Sequence, residues 1–142
     1  MRLEKLCSVD FRYLDSYFPR PYGDESGPGW GVGEGTVSGK RLNGTLTWSN
    51  HPSLRSDGVA LPDFRGVITT ADGSKVMISL TGRTAFVPRG TERVGRQLLM
   101  VLFESEDEDY TWLNTEVCVG EGVHDPHPPS HFEVYLCKNE LI

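Results

Sequence analysis

Residues 27–39 read GPGWGVGEGTVSG, with six glycines in thirteen positions. Two readings compete, a phosphate-binding loop and a strand. A dinucleotide fingerprint requires G-x-G-x-x-G between a strand and a helix. Counted from Gly31 and Gly33, its third glycine position holds Thr36. A phosphate loop requires G-x-x-x-x-G-K-[ST]. Gly39-Lys40 is followed by Arg41, and the earlier glycine falls at Gly35 where position 34 is needed. A strand pattern follows, so no helix N-terminus is expected there to receive an anion. The glycines at 29, 31, 33 and 35 alternate instead, and alternate residues of a strand share one face. A face without side chains leaves open volume or admits close approach by another backbone. Trp30, Val32 and Glu34 project from the opposite face. If the glycines look into a lumen they widen it. If they look outward, Glu34 enters the lumen as a candidate base. A bulged corner is the third option.

The same period of two recurs along the chain. Cys7, Val9, Phe11 and Tyr13 share a face, as do Leu42, Gly44, Leu46 and Trp48. So do Phe64, Gly66 and Ile68; Val76, Ile78 and Leu80; and Phe132, Val134 and Leu136. RQLLMVLFES is apolar on both faces, as in a doubly covered strand. YTWLNTEVCVG alternates Leu113, Thr115, Val117 and Val119 with Trp112, Asn114, Glu116 and Cys118. Ala71-Asp72-Gly73-Ser74 is a hairpin signal. The helix candidate DSYFPRP is spoiled by its prolines. The fold class predicted is all-β: one antiparallel barrel of about eight strands over residues 1–142. Such a barrel has room at its centre for one small ligand. The acidic run ESEDED, 104–109, is expected in a solvated hairpin loop.

Composition excludes several classes. A net charge of −6, with no basic cluster, argues against nucleic acid, whose binding rests on phosphate neutralisation. No apolar run reaches the roughly 18 residues of a membrane span. Glu4 and Lys5 break the apolar N-terminus, unlike a secretory signal. Cys7, Cys118 and Cys137 are odd in number and at no metal spacing, which fits a reduced, cytoplasmic protein. A Cys7–Cys137 cross-link would require the first and last strands to pair.

GEGTVSGKRLNGTL, followed by DGVALPDFRGVITTADGSKV and a late Trp112-Leu113-Asn114, resembles the uncharacterised family catalogued as domain of unknown function 3237. The likeness runs over about residues 1–137. Lys40 stands where that family usually has Pro, Pro62 splits its usual Leu-Asp pair, and WSNHP replaces a Gly-rich segment. The resemblance implies an antiparallel barrel similar to allene oxide cyclase and lipocalin-like barrels. Barrels of that kind bind apolar small molecules, and some act as cofactor-free cyclases or isomerases.

Several side chains are candidates for such chemistry. His51 follows a strand end, near where a barrel mouth would lie, and its ordinary pKa of about 6.5 suits proton transfer; the alternative is an exposed loop histidine. Asp63 and Arg65 share a face. Inside a lumen, Arg65 or the neighbouring-strand Arg83 would hold an oxygen anion; outside, they are a ladder of surface charges. Glu34, His51 and Asp63 are thus candidate proton carriers. Trp30, Trp48 and Trp112 are candidate walls for a conjugated substrate, with Asn114 and Tyr135 as further binding residues. His124, His127 and His131 fall within HDPHPPSH; a metal site is weighed against a solvent-exposed connection, and the latter is preferred. The function expected is a cofactor-independent enzyme acting on a small organic substrate, by cyclisation, isomerisation or another proton transfer. The alternative is a small-molecule carrier. No cofactor, nucleic acid or membrane is implied, and pairing of strand faces into a homodimer is compatible with either reading.

Overall fold

The computed structural model describes Met1–Ile142. The strands are β1 (Arg2–Tyr17), β2 (Gly27–Pro28), β3 (Trp30–Ser38), β4 (Gly44–Asn50), β5 (Ser53–Leu54) and β6 (Ala60–Leu61). After them come β7 (Asp63–Thr69), β8 (Lys75–Arg89), β9 (Glu92–Glu104), a 3₁₀ helix (Glu108–Thr115), β10 (Cys118–His124) and β11 (Ser130–Lys138). The eight long strands pair antiparallel in the order β8-β7-β4-β3-β1-β11-β10-β9, and β9 returns to β8. That last pairing closes the barrel and leaves the long strands no free edge. The three two-residue strands form a ribbon tied to β8 where Ala60 faces Thr84.

Alternation decides what enters the lumen. Val9, Leu46, Ile68, Val76, Ile78, Val101 and Val134 are each at most 1% exposed. Every face read as apolar in β1, β4, β7, β8 and β11 points inward, because burying one face is what fixes strand register. The pairing slips between Lys5 and Cys7, and again between Tyr13 and Asp15. The first bulge lets both Leu6 and Cys7 be buried. The Asp72-Gly73 turn forms as expected, with Gly73 at φ 85°.

Tyr110–Thr115 departs from the strand pattern. These residues form the 3₁₀ helix, held by i+3 bonds such as Tyr110 N–H to the Asp107 carbonyl at 2.8 Å. Asn114 ties the turn, accepting from Ser105 N–H (2.8 Å) and donating to the Ser105 carbonyl (2.9 Å). Leu113, fully buried, plugs the barrel end formed by the start of β8 and the end of β9. The acidic run leads from β9 into this helix.

β1 and β11 do pair, but Cys137 lies opposite Leu3 and Cys7 opposite Val134. All three thiols are free. Burial pushes Cys7 and Cys118 up to about 12, so both stay protonated and unreactive. No helix is long and apolar enough to cross a membrane.

Candidate functional site

The glycine run settles which face of β3 looks inward. A Cβ on Gly31 would stand 2.2 Å from the Tyr13 ring, and one on Gly33 would stand 2.3 Å from Trp48. The bare face therefore admits two aromatic rings into the lumen. Trp48 stacks on Phe64 (centroids 4.8 Å apart, 25°) and meets Tyr13 edge-on (4.7 Å, 90°). Phe11 packs against Trp48, Phe64 and Phe132. This aromatic layer divides the barrel. On the 3₁₀ side the lumen is filled mostly with aliphatic side chains, with Phe103 among them. On the other side it opens into a pocket of about 420 Å³, within the range of ordinary small-molecule sites.

The pocket wall is built from inward positions of the strands together with the β2–β5–β6 ribbon and the 125–128 connection. Among its apolar groups stand three neutral polar pairs. Asn50, 8% exposed, accepts from Asp63 N–H at 3.0 Å through Oδ1 and donates from Nδ2 to Tyr13 Oη at 2.9 Å. The Asp63 amide is a donor only, so it fixes the Asn50 amide orientation. Tyr13 Oη thus serves as acceptor toward Asn50 and keeps its own proton to give. Burial raises the Tyr13 pKa, against a smaller opposing effect of the Asn50 bond. The phenol stays protonated at neutral pH.

His124 lies at the end of β10, edge-on to Tyr13 with centroids 6.0 Å apart. Its Nδ1 is 3.3 Å from Ser130 Oγ, which accepts from Asp125 N–H at 2.9 Å. Burial lowers the His124 pKa, only partly offset by Asp125, so the imidazole is neutral at pH 7. Nε2 has no partner in the protein. The third pair is Gln97 and Thr84, joined Nε2 to Oγ1 at 3.1 Å; Gln97 Oε1 is buried without a partner. Of the charged wall residues, Arg12 and Asp125 are paired with Glu34 and Arg89 respectively, whereas Arg20 donates only to the Pro19 carbonyl, at 2.8 Å.

The side chains singled out from sequence are distributed differently. Glu34 faces outward, because the glycines face in, and accepts from Arg12 Nε at 2.9 Å. Asp63 and Arg65 also face outward, 3.5 Å apart and 47% and 69% exposed in their side chains. They alternate with buried Phe64 and Gly66, which take the lumen side. Arg83 is exposed for the same reason beside buried Thr84. His51 is exposed one residue beyond inward-facing Asn50. All five thus lie outside the pocket. Trp30 is exposed on the outer face of β3. Trp112 sits in the plug helix under the Arg41 guanidinium, 3.8 Å from its ring centroid, and Asn114 ties the same turn. Tyr135 faces out and donates to Glu121 at 3.3 Å. Trp48 alone among these ten comes near the site: it lies in the aromatic layer under the pocket, against Tyr13 and Phe64, without lining the pocket wall itself. The three histidines part company. His124 enters the pocket, His127 pairs with Glu92 (2.8 Å), and His131 bridges Asp10 and Glu133 (both 2.8 Å) on the outer wall.

Tyr13, Asn50, Thr84, Gln97 and Ser130 were missed. The signal for two of them was present: Tyr13 continues the Cys7-Val9-Phe11 face, and Asn50 continues the Leu46-Trp48 face.

Solved structures from several organisms share this architecture. A β-barrel-like protein of Acinetobacter baumannii AYE is 20% identical with a TM-score of 0.84, the match covering 96% of each chain. A protein of unknown function from Clostridium acetobutylicum is 18% identical with a TM-score of 0.81, over 97% of each chain. A protein described as an enzyme from Penicillium herquei is 20% identical with a TM-score of 0.71, over 96% of this chain and 94% of that one. At such identities the likeness concerns the fold. No curated protein sequence matches the chain. The family model described as Protein of unknown function (DUF3237) matches residues 29–137, and the chain belongs to that family.

Proposed function

We propose that the protein is an enzyme that binds a small, largely apolar and conjugated organic molecule in the barrel mouth and moves a proton on it. The observation that carries this reading is the pairing, across one aromatic wall, of a neutral imidazole with a phenol whose proton is unclaimed. Neutral His124 is a base of the right strength near pH 7. Tyr13 O–H, held by Asn50, is a donor for a carbonyl oxygen whose negative charge grows as the proton leaves carbon. In an isomerisation, Nε2 would take a proton from the carbon next to the carbonyl, the electron pair would move onto oxygen, and the imidazolium would return the proton at another carbon. In a cyclisation, the same base would take a hydroxyl proton while that oxygen closes on a conjugated carbon. The imidazolium would then protonate the resulting enolate. Neither course needs a group beyond these side chains and the substrate. The aromatic layer would press a flat substrate into one pose and exclude water. The unpartnered Gln97 Oε1 favours a ligand with a hydroxyl or N–H at its inner end. Three free thiols support a reducing, cytoplasmic setting.

The test is exchange of α-protons of 2-tetralone in heavy water, followed by mass spectrometry. The wild-type protein is expected to accelerate deuterium uptake, and His124→Gln and Tyr13→Phe to lose most of that acceleration. Exchange no faster than with free imidazole, accompanied by saturable binding of the ketone, would favour a carrier. That second reading is supported by the neutrality of the inner polar groups Tyr13, Asn50, Thr84, Gln97 and His124.

A further inference from the structure

Strand β9 is apolar on both faces, yet only one is covered. Its inward residues Leu99, Val101 and Phe103 are buried. Its outward residues Leu98, Met100 and Leu102 are 68%, 64% and 47% exposed. They stand in consecutive outward positions, with Val119 of β10 opposite Met100. Met77 of β8, 57% exposed, adjoins the far end opposite Glu104. Single exposed apolar residues are ordinary, whereas a contiguous apolar stripe on a sheet marks a contact surface.

The charges that bracket the stripe indicate what covers it. Outward along β9 the order is Arg96, Leu98, Met100, Leu102, Glu104. Arg96 and Glu104 are exposed and lie equally far from Met100, and neither has an ion-pair partner in the chain. Leu98, near the Arg96 end, is flanked by Arg83 of β8, also unpaired, and by Glu121 of β10, which accepts from Tyr135. The stripe is therefore complementary to itself under a half-turn. A twofold axis near Met100 sets the apolar residues of two copies together and brings each Arg96 to Glu104 of the partner subunit. An isologous contact requires this kind of symmetry. We propose that a second copy of this chain covers the outer face of β9, forming a twofold dimer that leaves both pocket mouths free.

Sedimentation velocity, at about 100 μM where a micromolar complex is largely formed, tests this on the whole chain. The wild-type protein is expected to sediment as a dimer and Met100→Lys as a monomer with an unchanged circular dichroism spectrum. Arg96→Glu and Glu104→Arg are each expected to weaken association about tenfold or more, and the double reversal to restore it. A monomeric wild type, a trimer or larger ring, a dimeric Met100→Lys, or a double reversal no tighter than either single change would overturn the proposal.

Discussion

The two ends of the barrel are made by the same strands and differ in what those strands send inward. Toward the 3₁₀ helix, β4, β7, β8 and β9 contribute Leu46, Ile68, Val76 and Val101, all nearly or wholly buried, and Leu113 closes the end. Toward the mouth, the sequence of inward residues changes to rings and then to amides, hydroxyls and an imidazole. Asn50 follows Trp48 on β4, Thr84 follows Leu80 on β8, and Gln97 precedes Leu99 on β9. Filling with aliphatic groups supplies cohesion without polar cost. The mouth carries polar groups whose burial is tolerated because most are paired. Stability and chemistry thus occupy opposite ends of one lumen, with the aromatic layer between them.

Substitutions along the axis would break this division if it were false. The largest effect is expected at the closed end, where Leu46→Ala should cost about 3 kcal/mol in urea unfolding. Gly33→Val, in the aromatic layer, should cost about 2 kcal/mol, because the new Cβ meets the Arg12 carbonyl of β1 and the new side chain displaces Trp48. Near-ultraviolet circular dichroism would show the ring displaced. At the mouth, Tyr13→Phe should change stability by only about 1 kcal/mol while weakening ketone binding about tenfold by fluorescence titration. Smallest is the outer wall: Arg65→Ala should shift stability by less than about 0.5 kcal/mol and leave binding unchanged.

The histidines sharpen the same contrast through pH. His124 has a lowered folded pKa because burial disfavours its charge. As pH falls through about 6.5, the unfolded chain takes up that proton first, so this site's effect on stability becomes unfavourable. His131 has a raised pKa, owed first to Asp10 and then to Glu133. Its stabilisation is present below about 6.5 and is lost as pH rises through its folded pKa. Imidazole proton resonances followed against pH should place the two midpoints on opposite sides of 6.5.

The barrel was legible in the sequence because alternation is local and each buried face repeats it. The candidate site was less so. Chemistry-bearing residue types drew notice to Glu34, His51, Asp63, Arg65 and Arg83, yet each neighbours an inward residue in sequence and so points out. Counting on by two from Trp48 reaches Asn50, and from Phe11 reaches Tyr13. Gln97 and Thr84 were hidden, because their pairing depends on the closure of β8 on β9. The helix at Glu108–Thr115 escaped notice because the alternating hydrophobicity from Tyr110 onward is that of a strand. Only its fit into the barrel end selects the tighter turn.

The central claim is that the working groups lie in the mouth and not on the outer wall. A two-dimensional NMR titration with 2-tetralone tests it most directly. The account predicts saturable shifts at the side-chain amides of Asn50 and Gln97 and the ring of His124, with His51 and the Arg65 and Arg83 guanidinium signals unmoved. Shifts confined to His51, Arg65 and Arg83 would contradict it.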